Sequence, residues 1–277
     1  MLVGYVTFGR LSYGAFMLYF IEEEKGLIVG NWKMNGLMSS LSELQAIASS
    51  YTTDLAKETD LVICPPATLL SACNDLVRHI PGLTIGAQDC HTYQNGSYTG
   101  DISASMLADV GATHVILGHS ERRIGHCETE PIIRSKIQAA WSVGLIPIVC
   151  IGETWEQYTA GNTFDVIWLQ LQNTLPSPRA VDKVGSLAIA YEPIWAIGSG
   201  LIPNLDTISR VVKHLRMRLQ SSGLYSEKIP ILYGGSIRPD NASDIFLKTY
   251  VDGGIIGASS LLASDFMKIV RSYRKVP

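Results

Sequence analysis

The chain has 277 residues, 47% of them hydrophobic and 17% charged, with a formal net charge of −3. That is enough for a large core in one α/β barrel domain, and the slight acidity with no basic stripe or RNA-binding motif argues against nucleic acid as a partner. An anionic small molecule stays open, because local cations and backbone donors outweigh net charge.

Residues 1–26 read as an N-terminal extension outside the catalytic unit. The expected reading is a start-site artefact, with Met17 as the initiator, or a disordered lead. Aromatic residues (Tyr5, Phe8, Tyr13, Phe16, Tyr19, Phe20) are frequent there, but Arg10 divides them. No charge-free run reaches the ~18 residues of a membrane span, so no membrane role is expected. No basic start or clear small-residue cleavage site marks a secretory signal. Five cysteines form no Cys-x-x-Cys pair. Their odd number and wide spacing point to free thiols in a reducing cytoplasm.

From residue 27 onward, short runs of Ile, Val and Leu alternate with longer amphipathic stretches. The runs predict buried parallel strands at 27–32, 61–64, 83–88, 114–117, 146–151, 187–191, 229–233 and 253–257. Helical periodicity falls at 41–57, 68–78, 103–110, 131–142, 163–174, 205–220, 240–248 and 260–272, with Ser39-Ser40 and Asn241 as candidate caps. Eight strand–helix units predict a closed (β/α)8 barrel, a TIM barrel, over residues 27–277. A doubly wound open sheet ranks second, since no Gly-x-Gly-x-x-Gly follows the first strand.

The polar residues gather at strand ends. After the first strand comes Gly30-Asn31-Trp32-Lys33-Met34-Asn35. Strand alternation would put Asn31 and Lys33 on one side, and a lysine at a barrel mouth needs an anion. After the fourth comes Leu117-Gly118-His119-Ser120-Glu121-Arg122-Arg123, where Ser120 is expected to open a helical turn. After the sixth comes Tyr191-Glu192-Pro193-Ile194, leading into Trp195-Ala196-Ile197-Gly198-Ser199-Gly200. A carboxylate at a strand's C-terminal lip, beside such a loop, suggests a base under a lid. Three small turns follow strands six, seven and eight: Gly198-Ser199-Gly200, Gly234-Gly235-Ser236 and Gly257-Ala258. Backbone N–H groups there can approach a phosphate without a Cβ in the way. Taken singly, Glu192 reads as readily as a salt-bridged or capping glutamate, His119 as an interior histidine, and Lys33 as a partner of Glu121.

Together these segments resemble the triosephosphate isomerase family over about residues 27–277. The resemblance implies an aldose–ketose isomerase of glycolysis and gluconeogenesis, in the cytoplasm, with neither metal nor cofactor. Glu192 would shuttle a proton through an enediolate between dihydroxyacetone phosphate and D-glyceraldehyde 3-phosphate. His119 would be a neutral electrophile facing the carbonyl oxygen, a tuning known from the family rather than derived from spacing. Lys33 and Asn31 would face the substrate, and Glu121 would position Lys33. Gly198, Ser199, Ser236, Gly257 and Ala258 would hold the phosphate. Pro193, Ile194, Trp195, Ala196, Ile197 and Gly200 would form the lid, latched by Tyr233. The loop around Gln88–Asp101 would enter a second subunit and make a homodimer.

Departures from the family pattern are Asp89 for asparagine, His126-Cys127 for an aromatic–glycine pair, and Pro131 for an acidic residue. In the lid, Ser199 replaces threonine, and Leu201-Ile202-Pro203 replaces the common second hinge. Ala258 stands for glycine and Tyr158 for arginine. The same residues also fit a paralogue acting on a tetrulose phosphate, and a barrel kept only for binding is the reading from another class.

Overall fold

The computed structural model describes residues 25–177, 186–198, 201–222 and 229–273. The strands are β1 (Gly26–Asn31), β2 (Thr59–Cys64), β3 (Leu83–Ala87), β4 (His114–Leu117), β5 (Ile146–Ile151), β6 (Ala188–Tyr191), β7 (Ile231–Tyr233) and β8 (Gly253–Ile256). They form a closed barrel in sequence order, all parallel, with β8 returning to β1 in the register Leu27↔Gly253 to Gly30↔Ile256. Of the N-terminal extension, residues 1–24 lie outside the described residues; Gly26 already belongs to β1.

Each strand is apolar on both faces because both are covered. One alternate set (Val29, Val62, Ile116, Ile148, Ala190, Leu232, Ile255) packs with Cys64 and Cys150 in one cluster. The other set, with Ile28, Ile63, Leu117, Val149 and Ile189, packs against the helices. All five cysteines are free, and only Cys127 is exposed.

The helices are α1 (Leu41–Ser50), α2 (Thr53–Glu58), α3 (Leu70–Val77), α4 (Ala104–Asp109), α5 (Ser120–Gly125), α6 (Glu130–Ser142), α7 (Trp155–Thr159), α8 (Thr163–Thr174), α9 (Leu205–Ser222), α10 (Ala242–Lys248) and α11 (Ala263–Ser272). The helix expected over 41–57 is two helices. Tyr51 and Thr52 are extended between them, and the Thr52 side chain accepts from the Leu55 N–H to start α2. The run Ser49-Ser50-Tyr51-Thr52-Thr53 is poor in helix formers, so a cap wins locally. Asn241 does precede α10, but its amide serves the preceding loop, accepting from Arg238 N and donating to Ser236 O. Ser40 likewise accepts from Leu37 N rather than capping α1. Helix α7 was not anticipated, although Thr154 and Gln157 form a capping box whose spacing is legible in the sequence. Pro131 sits in the first turn of α6, where its missing N–H costs nothing. Among the described residues, no helix is long and apolar enough to cross a membrane.

Candidate active site

The C-terminal ends of β1, β4, β6, β7 and β8 surround a cavity of about 320 Å³ lined by Asn31, Lys33, His119, Glu192, Gly198, Ser236, Gly257 and Ala258, among others. That volume suits a small molecule. The polar residues singled out along the sequence, from widely separated strands, therefore meet in one place. Ser199 and Gly200 lie outside the described residues.

Lys33 reaches the cavity by a route that strand alternation does not give. β1 ends at Asn31, and Lys33 has φ +53°. The Asn31 side chain accepts from Lys33 N at 3.0 Å, and Gln88 donates to Lys33 O at 2.8 Å and to Cys64 O at 2.9 Å. A non-glycine residue in this region is strained, and these contacts hold it there. Gln88, expected only at the root of the protruding loop, thus braces the site of its own chain. Lys33 Nζ lies 2.5 Å from Glu121 Oε1, so the expected pairing with Glu121 is present.

His119 precedes α5, and its Nδ1 accepts from the Glu121 backbone N–H at 3.2 Å. With Nδ1 accepting, the ring proton sits on Nε2, which lies 3.5 Å from Glu192 Oε1. The neighbour of His119 in sequence, Ser120, thus opens a helical turn as expected, and that turn sets the tautomer. Of the other histidines, His79 and His126 are exposed. Burial pushes interior His114 down to about 4, which keeps it neutral.

Glu192 follows β6 and is 3% exposed. Burial pushes its carboxyl above the ordinary range; His119, Lys33 and a hydrogen bond from Cys150 oppose that, and Glu121 adds to it. Oε2 is buried without a hydrogen-bond partner among the described residues. A carboxylate with a high proton affinity and a free oxygen is equipped to take a proton. Two glycines make room for it. A Cβ on Gly152 would lie 1.8 Å from Glu192 O, and one on Gly234 would lie 2.4 Å from Glu192 Cγ. The sequence reading took Gly234 for the phosphate turn and passed over Gly152.

Beneath the cavity Arg123 ties the strand ends together, donating to Gly118 O at 2.7 Å and Cys150 O at 3.2 Å. Beside it lies a charge cluster not anticipated from the sequence. Lys136 is 5% exposed, with Nζ 2.7 Å from Asp89 Oδ1 and 2.6 Å from Glu128 Oε1. Arg122 bridges the same two carboxylates at 2.8 and 2.7 Å. The departure at Asp89 thus has a physical partner set.

Within the segment expected to form a lid, Ile194–Ala196 is a 3-10 turn. Ser236 Oγ donates to Ala196 O at 3.0 Å, so in this structure it serves that turn. The Tyr233 hydroxyl is buried and has no hydrogen-bond partner among the described residues.

A family model described as triosephosphate isomerase matches residues 26–273. A triosephosphate isomerase of Rhizobium meliloti (strain 1021) is 45% identical over 251 residues, covering 90% of this chain and 96% of the relative. One of Xanthobacter autotrophicus is 46% identical over 248 residues, covering 89% and 96%. The crystal structure of triosephosphate isomerase from Bartonella henselae superposes with a TM-score of 0.79 at 40% identity, covering 91% of this chain and all of that one.

Proposed function

We propose, from the premise that this chain belongs to the triosephosphate isomerase family and is an intramolecular isomerase, the following reaction. The enzyme interconverts dihydroxyacetone phosphate and D-glyceraldehyde 3-phosphate in glycolysis and gluconeogenesis. Glu192 removes a proton from the carbon beside the carbonyl and returns it to the next carbon. The Nε2–H of His119 and the Lys33 ammonium face the oxygens on which charge develops in the enediolate. The N–H groups around Gly198, Gly235, Ser236, Gly257 and Ala258 hold the phosphate. The observation that carries this reading is the pairing of a buried, partnerless Glu192 oxygen with His119 Nε2 at 3.5 Å from the other oxygen. The hydroxyl proton passes from one substrate oxygen to the other through His119 Nε2, so each step moves a proton between the substrate and a group of the chain.

Residues 193–203 act as the lid, and the Tyr233 hydroxyl, without a partner among the described residues, is available to receive it when it closes. Closure would exclude water and keep the enediolate from losing phosphate. The catalytic unit works in the cytoplasm and begins with β1 at Gly26, and residues 1–16 are dispensable for the chemistry.

The test is steady-state isomerisation of glyceraldehyde 3-phosphate beside erythrulose phosphate, as a function of pH. We expect triose turnover approaching the ceiling of about 10⁸ M⁻¹ s⁻¹ in kcat/KM, a ceiling this family is known to reach. The base must be ionised, and burial raises its proton affinity. The acid limb of kcat/KM should therefore lie above the ordinary glutamate range, with activity falling as the pH drops through it. Strong tetrulose and weak triose turnover would move the substrate to the longer ketose, and turnover of neither would leave a binding barrel.

The assembly is proposed to be a homodimer through the loop around Gln88–Asp101. Met34 is 96% exposed, Leu37 74% and Met38 63%. In the loop after β3, Tyr93 and Tyr98 stack at 5.4 Å while remaining exposed. Apolar groups this bare mark a surface made to be covered. Sedimentation velocity should give a dimer for the native chain and a monomer for Tyr98→Asp; a native monomer would remove this proposal.

A further inference from the structure

The loop between β3 and α4, residues 88–103, has little apolar cover to order it: every residue from 95 to 101 is exposed. A loop of that length without secondary structure of its own stays ordered only where specific contacts offset its conformational entropy. Gln94 supplies four such contacts from one side chain. Its Oε1 accepts from the Ser105 backbone N–H at 3.2 Å and from the Ser105 hydroxyl, both in the first turn of α4. Its Nε2 donates to Ala139 O at 3.0 Å and to Ser142 Oγ at 2.6 Å, in the last turn of α6. An amide side chain offers two donor hydrogens and an oxygen with two lone pairs, and here all four are used. The middle of the loop is thus pinned to two helices of its own chain. His91 draws the arms of the loop together: its backbone N–H donates to Ile102 O at 2.8 Å, its Nδ1 accepts from Tyr93 N at 3.1 Å, and its ring lies 4.3 Å from that of Tyr98.

Resting on the reading of this loop as the homodimer contact, we propose that Gln94 is an assembly residue. It pre-forms the loop in the single chain, and the partner it serves is a second copy of this chain. The reason lies in where the ordering entropy is lost. A loop held by its own helices is fixed when the chain folds, so association does not bear that cost. A loop released from α4 and α6 must be ordered when the second copy arrives, and each residue ordered at that point costs about a factor of ten in Kd. The donors and acceptors of Gln94 are all spent on Ser105, Ala139 and Ser142. It therefore acts by holding the loop and not by bonding the second copy. What it holds in place is the exposed pair Tyr93 and Tyr98, which flank it in sequence and stack on each other.

The experiment compares the full-length native chain with Gln94→Ala, Ser105→Ala and the double variant. The dimer Kd is read by fluorescence-detected sedimentation of amino-terminally labelled protein on dilution, and the urea midpoint is read beside it. Gln94→Ala should raise Kd about 10- to 100-fold, the cost of ordering one or two residues on association. Ser105→Ala removes the hydroxyl from outside the loop and keeps the backbone N–H, so it should raise Kd less. The double variant should be no weaker than Gln94→Ala, because both changes break one contact. A merely structural role would lower the urea midpoint and leave Kd at its native value. That result, or additive effects in the double variant, would overturn the proposal. Should Gln94→Ala not fold, Ser105→Ala decides alone, a raised Kd supporting the proposal and a native Kd removing it. A monomeric native chain would overturn the dimer reading itself, a result distinct from a native dimer indifferent to Gln94.

Discussion

Glu192→Asp should fold as the native chain does and lose about 10²- to 10⁴-fold in kcat, the usual worth of a well-placed general base. The shorter arm draws the carboxylate back from the substrate carbon, and a misplacement of this size is enough to cost two orders of magnitude. The backbone cannot follow the shortened side chain. Gly152 lies directly against Glu192 O, where even a Cβ would clash, and Glu192 N donates to Ile151 O at 2.8 Å. The check is steady-state kinetics beside far-ultraviolet circular dichroism. Unchanged turnover with intact structure would remove Glu192 from the role of base. The buried carboxylate also carries a stability cost. Because burial raises its proton affinity in the folded state, the fold gains stability as the pH falls through that raised value.

Lys136→Met should be the most damaging of the non-catalytic changes, at about 3–5 kcal/mol, the usual result of removing one partner from a buried ion pair. Lys136 is 5% exposed and its Nζ bonds Asp89 and Glu128. Without it the buried Glu128 and the half-buried Asp89 face each other with Arg122 alone between them. The sign of the pH dependence follows from Asp89. Burial already holds its carboxyl above the usual aspartate range, with Lys136 opposing, so loss of Lys136 raises it further. A carboxyl with a raised folded-state value binds its proton more tightly folded than unfolded, and stability then falls as the pH rises through that value. Urea midpoints should therefore drop more at pH 8 than at pH 5. An equal drop at both would mean that repacking around the methionine, not the carboxylate charge, sets the loss.

What the sequence alone determined is considerable. Strand positions were legible because parallel strands covered on both faces leave runs of Ile, Val and Leu that nothing else in the chain imitates. The observed bounds, such as Thr59–Cys64 and His114–Leu117, fall within a few residues of the expected ones. Asn31, His119 and Glu192 each have a structural reading when taken singly; they were singled out because polar residues recur at the ends of several such runs. Helix breaks were less legible. The division at Tyr51 and Thr52 depends on a side chain accepting a backbone N–H and on Tyr51 bonding Thr59 O and Gly82 O, and periodicity carries neither.

The tertiary structure decided what depends on two distant segments meeting. Lys33 was placed correctly for the wrong reason: not strand alternation but a left-handed backbone held by Asn31 and Gln88 delivers it. Gly152 gave no signal, because its need for a bare Cα arises only where β5 and β6 run side by side and the Glu192 carbonyl crosses it. The Asp89–Lys136–Glu128 cluster and the ring contact of Tyr158 with Trp195 are of the same kind. Local pattern reports what a residue needs from solvent and from its own backbone; which partner meets that need is settled only when the barrel closes.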